Sequence, residues 1–224
     1  SYHDSKRVAT RGELGLAPDA FVMSSFSNTF KITQEMFGTW IRLLKHIPNS
    51  VLWLIDDNKE STSNLKAHAL DQGVGPERLL FSPRVEHMDF CARLKLADVY
   101  LDTYPYNSGS TSNDVIHAGV PIVTMYGKTL VSRMGLSLMT KINCTSSATQ
   151  TYDEYFQKVV DLSNNQNTVE HPKLPLRQQP LRLGEALSTL FFDGGAKAMT
   201  PTMLGKPVDP GLKVFHICSD EEAP

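Results

Sequence analysis

The chain has 224 residues, 41% of them apolar and 21% charged, with a formal net charge of −2. That length suits one large domain with an appendage, and the charge gives no electrostatic footing to nucleic acid or an anionic membrane. No apolar run approaches the roughly 18–20 residues that span a bilayer, and three isolated cysteines, Cys91, Cys144 and Cys218, point to a reducing, cytoplasmic setting rather than a disulfide scaffold.

The polar start over residues 1–7 carries no signal-peptide pattern and is expected to lie inside a longer protein. Residues 7–16 read as a short helix ending near Pro18. Phe21-Val22-Met23 reads as a first strand, with a loop over 24–31 behind it. Thr33 is a helix N-cap, with Gln34 and Glu35 in the first turn. Met36, Phe37, Trp40, Ile41, Leu44 and Ile47 recur at helical spacing, and Pro48 closes the stripe. Residues 51–55 form a continuous apolar strand, as a sheet covered on both faces requires, and Asp56 and Asp57 mark its solvated exit.

A helix is expected over 63–72, stopped by Gly73, then a strand over 78–82, a loop at Pro83-Arg84-Val85 and a helix over 86–96. Val99 to Leu101 is a short strand that ends in Asp102. A loop of small and polar residues leads into a helix over 111–118, which Gly119 terminates. Residues 122–125 follow as a fifth strand. Helices are expected over 130–139 and 151–162, the latter with Tyr152, Tyr155, Phe156, Val159 and Val160 inward. Beyond Asn164 the pattern weakens: one helix is expected within 176–192, and residues 201–224 read as a Pro-rich acidic tail with a stray strand at 212–217. Strands alternating with helices make an α/β fold, a doubly wound and mostly parallel sheet, over residues 1–200. There is no internal repeat.

The unit over 97–124 is a strand, loop, helix and strand. Ligands of such sheets sit beyond the carboxyl ends of the strands, and the loop over 104–111 brings hydroxyls and N–H groups to a helix N-terminus, which favours an anion such as phosphate. Thr111 and Asp114 have capping-box spacing. Gly127-Lys128-Thr129 ends like a P-loop but lacks the upstream glycine, so nucleoside triphosphate hydrolysis is not expected; no GxGxxG follows a strand, which argues against a dinucleotide oxidoreductase. Arg133 is expected to fix loop to helix. No CxxC, HExxH or clustered His/Cys spacing suggests a metal.

The segment DTYPYNSGSTSNDVIHAGVPIVTMYGKTLVSR (102–133) resembles the donor-binding half of the O-linked N-acetylglucosamine transferases. These are nucleotide-sugar glycosyltransferases with two facing Rossmann-like domains, the GT-B arrangement, often preceded by tetratricopeptide repeats. The resemblance runs over about residues 8–165 and more weakly over 176–196. It implies a C-terminal Rossmann-like domain that binds a nucleotide sugar, most simply UDP-N-acetylglucosamine, with no metal or other cofactor. The acceptor would be a Ser or Thr of a protein, held mainly by a missing N-terminal half and repeats.

The resemblance also implies site residues. In SerPheSerAsnThrPheLys, Lys31 falls where the family's Lys meets the β-phosphate, and Asn28 where an amide, commonly Gln, reaches the diphosphate. Gly109, Ser110 and Thr111 fall on the phosphate-binding triplet, with Gly in place of His. Asp114 matches an acidic ribose contact, and Val85, with Arg84, matches backbone that holds the base. His87 stands where a Lys is usual, Arg93 matches a family Arg, and Phe90 replaces a family His. Those departures leave two alternatives open: a Spindly-type fucosyl transfer from a guanosine carrier, and a non-catalytic nucleotide-sugar binding or scaffold module.

Overall fold

The protein was analysed as a computed structural model that describes residues 9–165. The helix and family-like stretch expected within 176–196, the domain limit at residue 200 and the tail over 201–224 lie outside the described residues.

Residues 7–16 give no helix where they are described; a single 3-10 turn spans Gly12–Leu14. Gly15 ends it at φ 74°, with its N–H bonded to the Gly12 carbonyl. The segment is fixed instead by Arg11, whose guanidinium donates to Asp98 Oδ2 at 2.8 Å and to the carbonyls of Pro18, Ala20 and Leu96.

Strand β1 (Phe21–Ser25) is followed by α1 (Gln34–His46), β2 (Ser50–Ile55), α2 (Lys59–Asp71), β3 (Leu79–Ser82) and α3 (His87–Leu94). Then come β4 (Val99–Leu101), α4 (Ser110–Ala118), β5 (Ile122–Met125), α5 (Met134–Lys141), β6 (Ala148–Thr149) and α6 (Tyr152–Asn164). Thr33 caps α1 as its sequence suggests, accepting from the Met36 amide at 3.2 Å. Helix α2 starts four residues earlier than its apolar pattern predicts, because Asn58 Oδ1 accepts from the amides of Glu60 and Ser61. Thr151 and Glu154 form a capping box on α6.

The sheet runs β3-β2-β1-β4-β5-β6, and every pairing is parallel. The sixth strand was not foreseen: two residues carry no alternation to read, and their pairing with β5 through Thr124↔Ala148 and Met125↔Thr149 is what defines them. Strand residues alternate between two apolar cores, as the period of two demands. Met23, Leu52, Leu54, Val99, Leu101 and Val123 pack with α1 and α6 residues such as Trp40, Leu44, Tyr155 and Val159. Val22, Trp53, Ile55, Tyr100 and Ile122 face the opposite side, against Leu94, Val115, Ile116 and Leu138 from α3, α4 and α5. Both faces are covered, which is why the strands read as unbroken apolar runs. Among the described residues no helix is long and apolar enough to cross a membrane.

The strand order fixes where a ligand can go. From β1 the chain winds outward through β2 to β3; from β4 it winds the other way through β5 to β6. The crevice beyond the carboxyl ends of β1 and β4 is the switch point of the sheet.

Candidate functional site

Two loops flank that crevice, 26–33 after β1 and 102–109 after β4, and both are tied to a buried polar cluster at its base. Asp102, fully buried, accepts from the amides of Thr103 at 2.9 Å and Ser108 at 2.7 Å, and from Thr124 Oγ1 at 2.6 Å. Burial raises its carboxyl to about 6 in spite of these donors. Ser27, from the first loop, hydrogen-bonds Ser108 at 2.6 Å, and Tyr100 hydroxyl joins Ser108 at 3.1 Å. Asn107 is also buried: its amide donates to the carbonyls of Thr103 and Met125, and its oxygen accepts from the Gly135 amide. The second loop is therefore held from below through its own backbone. Such a loop can present its outer surface without reorganising.

Lys31 joins the two loops from above. Its Nζ donates to the Asn107 carbonyl at 3.3 Å and lies 4.0 Å from the centroid of the Tyr106 ring. Partial burial lowers its pKa, with Asp102 pulling the other way. Asn28 lies on the same first loop, and its Oδ1 accepts from Arg84, the residue before Val85. Arg84 also lies 3.6 Å from Asp57, which in turn receives the amide and hydroxyl of Thr29. Asp57, exposed at the strand end as the sequence suggests, is thus also a loop anchor. Asp56 likewise accepts from Thr62 Oγ1 at 2.7 Å.

Helix α4 opens at Ser110, one residue before the sequence expectation, and its N-cap is Gly109, with no side-chain cap. The Thr111–Asp114 capping box is absent for that reason: Thr111 is already inside the first turn. First-turn amides are left for an outside acceptor, with the exposed Ser110 beside them. A Cβ at Gly109 would lie 2.6 Å from Met134 Cε, so a larger residue there would have to displace the end of that side chain. Asp114 turns to α3 instead, where its Oδ1 lies 3.2 Å from His87 Nε2.

A cleft of about 240 Å³ opens between the ends of β1 to β3, α3 and the start of α4. Phe26, Trp53 and Phe90 make its apolar wall, with Phe26 edge-on to both other rings at 5.0 and 5.6 Å. Val85, His87, Arg93 and Thr111 line it as well. Of the nine sequence-derived site residues, these four share one cavity, and Asp114 reaches it through His87. Asn28, Lys31, Gly109 and Ser110 sit on the neighbouring loops and helix start. Arg133 is structural as expected, donating to the Gly127 carbonyl at 3.4 Å. Sequence reasoning missed Asp102 and Tyr106 as parts of the site, and it gave Arg84 as backbone beside the base rather than as the guanidinium that donates to Asn28. An acid closing an apolar strand was the only signal for the first; the other two reveal themselves only when the two loops meet.

The glycosyl transferase family 41 profile matches residues 2–189. Among curated proteins, the chain is 31% identical over 189 residues to a probable UDP-N-acetylglucosamine–peptide N-acetylglucosaminyltransferase, SEC, of Arabidopsis thaliana, covering 84% of this chain and 19% of that protein. It is 27% identical over 224 residues to the Caenorhabditis elegans UDP-N-acetylglucosamine–peptide N-acetylglucosaminyltransferase, covering 99% of this chain and 19% of the relative. A Hordeum vulgare protein named as a probable enzyme of the same kind, SPINDLY, is 30% identical over 209 residues, with 88% and 22% covered. The chain thus spans about a fifth of the length of these relatives. Among solved structures, an O-GlcNAc transferase mutant of Thermobaculum terrenum superposes with a TM-score of 0.62 at 26% identity, over 77% of this chain and 34% of that one. Sucrose-phosphate synthase of Thermosynechococcus elongatus (TM-score 0.54, 14% identity, 81% and 44% covered) shares the fold alone.

Proposed function

We propose, from the premise that this chain belongs to glycosyl transferase family 41, that it is the donor-binding half of an inverting protein glycosyltransferase. The donor is UDP-N-acetylglucosamine and the acceptor a Ser or Thr hydroxyl of a protein, engaged by parts of the protein beyond this chain. The observation that carries the reading is the bond from Lys31, behind β1, to the Asn107 carbonyl, behind β4, across the switch point of the sheet. It puts the cation beside the loop that leads straight to the uncapped start of α4.

In the transfer, the acceptor oxygen bonds to the anomeric carbon as the bond from that carbon to the β-phosphate oxygen breaks. The electron pair leaves with the diphosphate, and the hydroxyl proton is released. Negative charge grows on the departing oxygen, and a fixed ammonium with oriented N–H donors lowers that barrier without a metal. Lys31 takes this role; Asn28, Gly109, Ser110 and Thr111 hold the diphosphate. The backbone at Val85, with His87, Arg93 and Asp114, serves base and ribose in the adjoining cleft. These relatives, the one called SPINDLY included, bear names of transferases that use the uridine carrier, which favours it over guanosine. The free thiols Cys91 and Cys144 support a reducing, cytoplasmic setting.

The test is transfer by the full-length protein carrying Lys31→Ala. Activity on a peptide acceptor should fall by roughly 10²–10³-fold, the scale of removing one donor to a developing oxyanion. Activity within two-fold of wild type would overturn the role of Lys31.

A further inference from the structure

At the rim of the cleft, two residues of the donor reading, His87 and Asp114, converge with a thiol that donor binding does not use. His87 and Cys91 stand one turn apart on α3, and Asp114 comes from α4. His87 Nε2 lies 3.2 Å from Asp114 Oδ1 and 3.6 Å from Cys91 Sγ, and the three donor atoms fall within 4.8 Å of one another. A His–Asp ion pair explains the first distance but leaves the thiol turned to the same ring nitrogen. A Cys–His–Asp relay does not fit either, because both partners face one nitrogen, whereas a relay needs the two nitrogens of the ring.

A tetrahedral metal accounts for both separations. With metal–N and metal–O bonds of about 2.0–2.1 Å, metal–S of about 2.3 Å and tetrahedral angles, the N···O edge is about 3.3 Å and the N···S edge about 3.6 Å. The two measured separations match those edges. We propose that His87, Cys91 and Asp114 form a three-ligand site for a borderline-soft divalent ion of the zinc class. One thiolate and one imidazole select Zn²⁺ or Co²⁺ over the hard, oxygen-seeking Mg²⁺ and Ca²⁺. Three protein ligands leave the fourth position to water, and half or more of the His87 side chain is open to solvent, giving the ion a path in. Sequence spacing does not announce the site, because the third ligand is supplied by the packing of α4 beside α3.

The ion would occupy His87 and Asp114, which the donor reading assigns to the ribose. The test uses metal alone, so its failure leaves that reading untouched. Full-length protein is titrated with Co²⁺, and the sulfur-to-cobalt charge-transfer absorption is followed; Zn²⁺ competition then gives the zinc affinity. The expected result is a saturable band that Zn²⁺ abolishes, that Cys91→Ser removes, and that Cys144→Ser and Cys218→Ser leave intact. His87→Ala and Asp114→Asn should weaken Co²⁺ binding by roughly 10- to 100-fold or more. Circular dichroism identifies any variant that does not fold, and the remaining two ligand variants then decide. Absence of the band in wild type, or its survival in folded Cys91→Ser, overturns the site.

Discussion

The Lys31 ammonium stands 4.0 Å from the centroid of the Tyr106 ring. Tyr106 is 42% exposed and its ring meets Phe30 edge-on, so it forms an outer wall beside the cation. Such a contact is worth about 0.5–1 kcal/mol at an exposed site. Tyr106→Ala should therefore weaken uridine diphosphate binding only about two- to five-fold, and Tyr106→Phe should leave it unchanged. Titration calorimetry of the two variants checks this. Equal losses in both would mean that the hydroxyl, not the ring face, is what matters.

Thr111 separates stability from binding. It lies inside the first turn of α4 and makes no cap bond, since Gly109 is the cap. Thr111→Ala should leave the thermal midpoint within about 1 °C, whereas loss of a true N-cap costs about 1 kcal/mol and would shift it by several degrees. The same variant should lose about ten-fold in diphosphate affinity, the scale of one hydrogen bond to a charged group. A lowered midpoint with unchanged affinity would reverse that assignment.

Gly135 fits where no side chain does. A Cβ there would overlap Thr124 Oγ1 and lie 2.8 Å from Asp102 Oδ2. Gly135→Ala should destabilise by about 1–3 kcal/mol, as forced overpacking does, and should disturb the loop that Asp102 holds. Gly38, within α1, has nothing within 4 Å of its built Cβ, so Gly38→Ala should be neutral or stabilise by up to about 1 kcal/mol. Urea unfolding of the pair gives the contrast directly.

The fold was legible wherever burial imposes a period. The stripe from Met36 to Leu44 and the runs at 51–55 and 99–101 demanded a covered sheet, and the capping chemistry of Thr33 fixed the start of α1. Reading stopped where a tertiary contact sets the outcome. Asn58 moved the start of α2, Gly109 replaced Thr111 as the cap of α4, and Thr149 became strand only by meeting Met125. The site divided in the same way. Lys31, Ser110 and Thr111 were legible through the family resemblance, and the structure sets them on the loops and helix start around the crevice. Asp102 and Asp57 looked like ordinary acids at strand ends, and only the converging amides, the Thr29 hydroxyl and Arg84 distinguish them.

Asp102 gives a pH signature. Its folded pKa, about 6, lies above the ordinary carboxylate value, so the folded state holds its proton more tightly than the unfolded one. The contribution is present in full below about pH 4 and is lost as pH rises through 6. Two pH units correspond to on the order of 3 kcal/mol, as an upper bound. Stability of wild type relative to Asp102→Asn should fall between pH 4 and 7, measured by denaturant unfolding at each pH. Parallel profiles would show that Asp102 is ionised throughout.

The most direct test of the central claim is nucleotide binding by the full-length protein, measured by calorimetry with uridine and guanosine diphosphates, on wild type and Lys31→Ala. Wild type should prefer the uridine nucleotide, and the variant should lose roughly ten-fold or more in affinity, the scale of a charge-assisted contact. Guanosine preference, or uridine binding that ignores the loss of Lys31, would contradict it.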